Sequence, residues 1–244
     1  MKTKQRLDDR LVELGLAPSK TKAQAMIMAG EVRVGERIQS KPGTSVKPEQ
    51  AITLLHEGPR YVSRGGQKLA GALDAFGFQV AGLRCLDVGA STGGFSDCLL
   101  QRGAAHVYAC DVGTQQLDTS LRTHPRLTFQ ENLHVRNLSL DFVGSSVDLA
   151  VMDVSFISVL KALPFVLPLI KAQGHLLALI KPQFEATPKD LVKGVVKNEL
   201  RRQAIVKEVL AQLPALGLTN CQVSPSVLKG PKGNQEVFAL LRLT

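Results

Sequence analysis

Apolar positions along this chain change their period several times. Leu7, Leu11 and Leu14 recur at i, i+4 and i+7, and Gly15 stands where a C-terminal cap belongs. This predicts a short helix over 6–16. Ser19 reads as the N-cap of a second helix, with Ala23, Met26 and Ile27 on its apolar face and Gly30 at its end. The period then drops to two. Val32 and Val34 alternate with charges before a turn at Gly35, which predicts a hairpin arm, and 52–55 reads as another strand. From about Gly66 the helical period returns, with Leu69, Ala72, Leu73 and Phe76 inward. Strands are then expected near 84–88, 105–110, 127–130, 147–152, 175–181, 218–224 and 235–242, and helices near 93–101, 114–121, 158–168 and 198–213. Such alternation predicts an α/β fold with a mostly parallel, doubly wound sheet. Only "LKGPKGNQ" joins the last two strands, so they should form an antiparallel hairpin at the sheet edge.

Charge divides the chain further. The net charge of +9 is uneven: residues 1–68 carry 13 Lys+Arg against 7 Asp+Glu, and the remainder 17 against 14. A small basic front on a near-neutral body suggests a polyanion-binding module joined to something else. The four cysteines, Cys85, Cys98, Cys110 and Cys221, form no CxxC pair and no close metal-ligand spacing, so no metal and a reducing, cytoplasmic setting are expected. The start, "MKTKQRLDDR", has no apolar core of a secretory signal. The most hydrophobic window, 156–180, is broken by Lys161, Pro164, Pro168 and Lys171, so no membrane association is expected.

The basic front carries Arg6, Arg10, Lys20, Lys22, Arg33 and Arg37 and has no aromatic residue before Tyr61. Single-strand binders stack bases on rings, whereas a ring-free basic module should grip phosphates and the shape of a folded RNA. The stretch "RLDDRLVELGLAPSKTKAQAMIMAGEVRVGER" resembles the S4-type RNA-binding domain, departing from it only in having Gly-Glu at the hairpin turn. The expected layout is an S4-type domain over 1–58, a linker over 59–65 and a second domain over 66–244. Arg60 and Arg64, at the junction, are counted with the RNA-contacting residues.

"RCLDVGASTGGFSDCLL" is strand, Gly-rich turn, helix, and in open α/β sheets ligands bind over such turns. Its G-A-S-T-G-G spacing matches neither GxGxxG nor a P-loop, and no lysine follows to hold a phosphate. A close backbone approach to a ligand without a pyrophosphate fits better. Asp87 at the strand end can meet an amine, and Asp111, 22 residues beyond Gly89, stands where an acid reads ribose hydroxyls. Together these suit S-adenosylmethionine, an adenosine carrying a cationic amino-acid tail, in preference to the alternative, NAD. The residues expected to hold it are Asp87, Gly89, Ala90, Ser91, Gly93, Gly94, Phe95, Asp111 and Val112, with Glu131 and Asn132 at the adenine edge. A parallel sheet closed by one antiparallel hairpin likewise resembles the class I (Rossmann-like) methyltransferase layout.

The methyl acceptor can be narrowed. The segment after the fourth strand, "VMDVSFIS", lacks the Asn/Asp-Pro-Pro-aromatic loop typical of amino-nitrogen methylation, and no cysteine follows a proline, as expected of a pyrimidine C5 nucleophile. What remains is charge at element ends: Asp153, Lys181, Glu236 and, on the first helix of the body, Lys68. "SRGGQKL", "LDVGASTGGFSD", "MDVSFIS" and "IKPQFE" resemble the hemolysin A (TlyA) family, an S4-type domain followed by an FtsJ/RrmJ-like methyltransferase domain. The resemblance implies 2′-O-methylation of cytidine ribose in ribosomal RNA, with ribosomal subunits as partners. It also implies a Lys-Asp-Lys-Glu catalytic tetrad that falls on Lys68, Asp153, Lys181 and Glu236. A ribose hydroxyl is a poor nucleophile until its proton is drawn away. A neutral lysine can do this, although a free lysine titrates near about 10.4. Lys181 is expected as the base or hydroxyl-orienting group, with Lys68 and Asp153 positioning hydroxyl and methyl donor and Glu236 fixing the lysines. A second basic cluster, Lys189, Lys193, Lys197, Arg201 and Arg202, is open to two readings, a phosphate grip or a solvated helix face. Rival functions are a membrane-active haemolysin, a catalytically silent RNA-binding or assembly factor, and a pseudouridine synthase, which the Gly-rich turn disfavours.

Overall fold

The computed structural model describes residues 4–55, 61–230 and 232–244. The chain divides into two compact units, Met1–Arg60 and Tyr61–Thr244.

In the first unit, strand β1 (Gln5–Arg6) leads into α1 (Leu7–Glu13), and α2 (Lys20–Met28) follows. Ser19 caps α2 by accepting from the backbone N–H of Lys22 at 3.3 Å. Strands β2 (Val32–Val34), β3 (Arg37–Gln39) and β5 (Ile52–Leu54) make an antiparallel sheet in the order β3-β2-β5, while β4 (Ser45–Val46) pairs with β1. Leu7, Leu11, Ala23, Met26, Ile27 and Val32 form its core. Asp8 is fully buried among them, accepting from Arg6 at 2.7 Å and Gln24 at 2.9 Å. The bond from Arg6 holds its carboxyl well below the usual carboxylate range.

The second unit opens with α3 (Arg64–Phe76), then β6 (Arg84–Val88), α4 (Gly94–Gln101), β7 (His106–Cys110), β8 (Leu127–Gln130), the short α5 (Leu140–Val143), β9 (Val147–Met152) and α6 (Val159–Val166). It continues with β10 (Ile170–Ile180), the single turn α7 (Pro182–Glu185), α8 (Glu199–Leu210), β11 (Leu218–Pro225) and β12 (Val237–Leu243). Seven strands form one sheet in the order β11-β12-β10-β9-β6-β7-β8. Neighbours from β10 to β8 run parallel, and β12 runs antiparallel to both β10 and β11, which makes the expected edge hairpin. Both faces are covered. Leu149, Val151, Leu177 and Leu179 join one core with Leu69, Leu73 and Leu99, while Ala150, Met152, Leu176 and Ile180 join the other with Leu163 and Val209. Burial on both faces explains why β9 and the second half of β10 read as nearly unbroken apolar runs.

Three expectations shift. Helix α3 begins at Arg64, and residues 61–65 belong to the second unit, with Tyr61 buried and the Val62 N–H donating to Asp97 at 2.8 Å. Strand β10 starts at Ile170, earlier than the apolar run suggests. The helix expected over 114–121 does not form. Asp118 accepts from the Ser120 N–H and hydroxyl, and its own N–H donates to Thr92 O; such local bonds compete with a helix. Among the described residues no helix is long and apolar enough to cross a membrane.

The starts of α3 and α4 meet through glycine. A Cβ on Gly94 would lie 2.2 Å from Ser63 Oγ and 2.8 Å from Gly66 N, and one on Gly66 would lie 2.4 Å from Tyr61 Cβ and 2.8 Å from Gly94 O. At Gly65 the nearest atom would be 3.4 Å away, an ordinary contact. Adjacent glycines therefore predict opposite outcomes under urea unfolding. Gly66→Ala should destabilise the unit by about 1–3 kcal/mol through overpacking, whereas Gly65→Ala should leave stability unchanged or raise it by up to about 1 kcal/mol through helix propensity.

Candidate active site

Strand β6 runs into a turn over Gly89–Gly93 that opens α4. Gly89 has φ +87° and no room for a side chain, since a Cβ there would sit 2.8 Å from the carbonyl oxygen of Asp153. The Asp153 N–H in turn donates to Val88 O at 3.0 Å. The ends of β6 and β9 are thus closed against each other. Asp111, past the end of β7, accepts from the Ser91 N–H at 2.8 Å and the Gly113 N–H at 2.7 Å, so one carboxylate ties the first βα loop to the second.

Two adjoining hollows open over this turn. The larger, about 680 Å³, lies between the Gly89–Ser91 turn, Asp111–Gly113, Leu133–Arg136 and Asp153–Ile157. The smaller, about 330 Å³, is bounded by Ser63–Gly65, Lys68, Ala90–Thr92, Gly94, Phe95 and Lys229. Gly89, Ser91 and Asp153 line both. The starts of α3 and α4 both reach the smaller hollow, and neither carries a side-chain cap, so N–H groups there have no intrahelical partner.

The four charges expected from strand and helix ends come together here as two pairs. Lys68 Nζ donates to Glu236 Oε2 at 2.6 Å, and both residues are buried. Lys181 Nζ stands 2.6 Å from Asp153 Oδ1, an ion pair by distance that lacks hydrogen-bond alignment, and donates to Ser155 Oγ at 2.8 Å. Lys68 and Asp153 line the same hollow. Buried lysines and carboxylates are tolerated only when matched in this way, and removing one member of such a pair costs about 3–5 kcal/mol.

The "KPQFE" turn reaches in four directions. Lys181 meets Asp153, Gln183 Nε2 donates to Glu236 Oε1 at 3.1 Å, the Phe184 ring lies 5.1 Å from that of Phe156, and Glu185 accepts from the Val159 N–H at 2.7 Å, at the start of α6. Phe156 itself is 91% exposed and held at φ +65°, a strained conformation for a bulky residue.

Other expected site residues lie elsewhere. Asp87 lines neither of these two hollows. Its carboxyl is wholly buried, accepts from Ser96 Oγ at 2.6 Å and leaves Oδ1 without a partner among the described residues. Burial, with Asp153 adding a smaller push, raises it to about 7. Gly93 packs under Leu117 and Leu121. Glu131 accepts from the Gln115 N–H, and neither it nor Asn132 lines the large hollow; Leu133, His134 and Arg136 do. Ala90, Gly94, Phe95 and Val112 are on the walls. Arg64 donates to Lys229 O at 3.1 Å beside the smaller hollow. Arg60 lies outside the described residues. In the first unit Arg6, Arg10 and Lys20 are ion-paired with Asp8, Glu13 and Asp9, while Lys22, Arg33 and Arg37 are exposed and in no ion pair among the described residues. In the second basic cluster Arg201 is taken up by Asp190 and Glu208, and Arg202 by Glu199. Sequence reasoning did not single out Ser155, Phe156, Gln183, His134 or Arg136. The first three sit inside motifs already quoted, flanking the charges.

Comparison with known proteins matches residues 61–243 to the FtsJ-like methyltransferase family and residues 5–52 to the S4 domain. The chain is 43% identical over 244 residues to the 16S/23S rRNA (cytidine-2′-O)-methyltransferase TlyA of Mycobacterium tuberculosis, spanning 99% of this chain and 91% of that protein. It is 37% identical over 237 residues to Hemolysin A of Brachyspira hyodysenteriae, spanning 96% and 98%. A solved structure of a candidate hemolysin from Streptococcus thermophilus, 36% identical, superposes with a TM-score of 0.76, covering 100% of this chain and 90% of that one. With an S4 match ahead of an FtsJ-like match and end-to-end similarity to TlyA, the chain belongs to the TlyA group of FtsJ-like methyltransferases.

Proposed function

We propose that this protein transfers a methyl group from S-adenosylmethionine to the ribose 2′-hydroxyl of cytidine in ribosomal RNA. The observation that carries this reading is the two lysine–carboxylate pairs, each at 2.6 Å, gathered against the Gly89 turn. The M. tuberculosis relative is named for this reaction. Such a substrate would have the protein work in the cytoplasm, among ribosomes.

The residues present fit the methyl donor. The bare backbone at Gly89 admits close approach, and the large hollow suits a nucleoside, with Asp111 able to take ribose hydroxyls and Leu133–Arg136 beside the base. The uncapped starts of α3 and α4 suit an amino-acid carboxylate in the smaller hollow. Asp153, on the shared wall, and the buried Asp87 carboxyl beneath the turn favour a cation between the two hollows through their negative charge. S-adenosylmethionine bound there supplies an electrophilic methyl group on a sulfonium.

On the acceptor side, Lys181, held by Asp153 and Ser155, orients the 2′-hydroxyl and takes up its proton after shedding its own. Lys68, held by Glu236, keeps the hydroxyl oxygen in line. Correct placement alone supplies a large part of such a rate. The exposed Phe156 ring offers a face on which an unstacked base can lie. Lys22, Arg33 and Arg37 are among the residues of the S4 unit free to grip phosphates.

Methyl transfer from labelled S-adenosylmethionine to unmodified ribosomal subunits tests the reading. Label should survive alkali in dinucleotides, and Lys181→Ala should cut the rate about 100-fold or more. Label in a base would overturn the acceptor assignment. RNA binding without label would favour a silent assembly factor, and leakage of liposomes by pure protein a membrane-active one.

Asp87 yields a second test. A cationic ligand binds best to the ionised carboxyl, so affinity for S-adenosylmethionine should rise several-fold between pH 6 and pH 8 as Asp87 passes about 7. Asp87→Asn should flatten that rise and bind more weakly at pH 8. The sign for stability is opposite. An acid raised above its unfolded value favours the fold most fully in acid, and that contribution is lost as pH climbs from about 4 towards 7. The ligand-free Asn variant should therefore melt at a higher temperature than wild type at pH 8. Calorimetric titration and thermal melts at both pH values check the pair.

A further inference from the structure

We infer that Gln183 is a positioning residue for methyl transfer: its side-chain amide fixes Glu236 and, through Glu236, aims the Lys68 ammonium. This rests on the assignment of Lys68 and Glu236 to the methyl-transfer site.

The two oxygens of Glu236 are divided between two elements. Oε2 takes Lys68 of α3 at 2.6 Å, and Oε1 takes Gln183 of α7 at 3.1 Å. Oε1 lies in a niche that also borders Gly230, where an added Cβ would come within 2.7 Å of it. Among the described residues, Gln183 is the donor to that oxygen and Glu236 is the acceptor for Lys68 Nζ. Lys68 thus points where Glu236 points, and Glu236 is prevented from turning by Gln183.

The orientation of the amide follows from chemistry. An ionised carboxylate only accepts, so the NH2 end must face it. That leaves Gln183 Oε1 buried without a partner among the described residues. An idle buried acceptor is a cost that an apolar side chain of the same size would avoid. What the amide supplies, and such a side chain would not, is the donor to Glu236. Gln183 also stands two residues beyond Lys181, on a turn that Pro182 stiffens at its first position. One short turn therefore holds both ion pairs at a fixed spacing: Lys181 to Asp153, and Gln183 to the Glu236–Lys68 pair.

The test compares wild type with Gln183→Leu and Gln183→Glu in steady-state methyl transfer to ribosomal subunits between pH 6 and pH 8.5. The ionisable groups around the position are Glu236 and Lys68, with Lys181 and Asp153 beside them. Gln183→Leu should lower kcat about tenfold or more, with KM for S-adenosylmethionine within about twofold, because placement and not cofactor binding is lost. Gln183→Glu should work nearly as wild type at pH 6, where one shared proton lets the pair of carboxyls bond, and fall behind about tenfold by pH 8.5 as they repel. A crystal structure of Gln183→Leu should show Glu236 turned and its Lys68 contact opened beyond 4 Å, out of ion-pair range. Wild-type kcat in the Leu variant, a wild-type pH profile in the Glu variant, or an unchanged Lys68–Glu236 contact would overturn the inference. Should the Leu variant not fold, the Glu variant's pH profile decides. If wild type methylates no ribosomal RNA, the functional reading fails on its own, and the crystal structure alone decides on Gln183.

Discussion

Two ammonium groups can be buried at one end of a sheet only where carboxylates are delivered to the same spot. That requirement governs much of the second unit. Lys181 and Asp153 end neighbouring parallel strands, so they arrive together by register alone. Glu236 comes from the opposite direction, on a strand antiparallel to β10, which puts its first residues beside the last residues of β10. Lys68 comes from a helix that must lie close to α4, and glycine at 66 and 94 permits that approach. Edge hairpin, glycine contacts and strand order thus answer to one electrostatic demand.

Some of this was legible in the sequence for physical reasons. Strands buried on both faces leave apolar runs, so a charge at the end of "HLLALI" stands out as Lys181 does. The edge hairpin was legible because "LKGPKGNQ" leaves no room for a crossover helix. Ser19 announced a helix start because capping chemistry is local. The 114–121 segment misled because Leu117 and Leu121 keep helical spacing while serving another end, packing over Gly93. Asp118 and Ser120 decide the backbone there through bonds that spacing does not reveal.

At the site, charge was readable and burial was not. Asp87 occupies the strand-end position of a ligand-binding acid, yet its carboxyl is wholly buried beneath the turn, where Ser96 in the first turn of α4 donates to it. Arg6, Arg10 and Lys20 look like a phosphate grip when counted, but acids within a few residues or across the helix pair claim them. Gln183 went unnoticed because an uncharged amide between Pro and Phe carries no signal of its own. Its meaning comes from Glu236, 53 residues away in the chain.

The antiparallel last strand has a temporal consequence. Lys68 and Glu236 are 168 residues apart, so a growing polypeptide presents its first ammonium long before the matching carboxylate exists. Until Glu236 joins the sheet, burying that lysine leaves its charge uncompensated, a cost of about 3–5 kcal/mol against closing the helix over the sheet. The last strand to be made is thus also the one that completes the charge balance of the site.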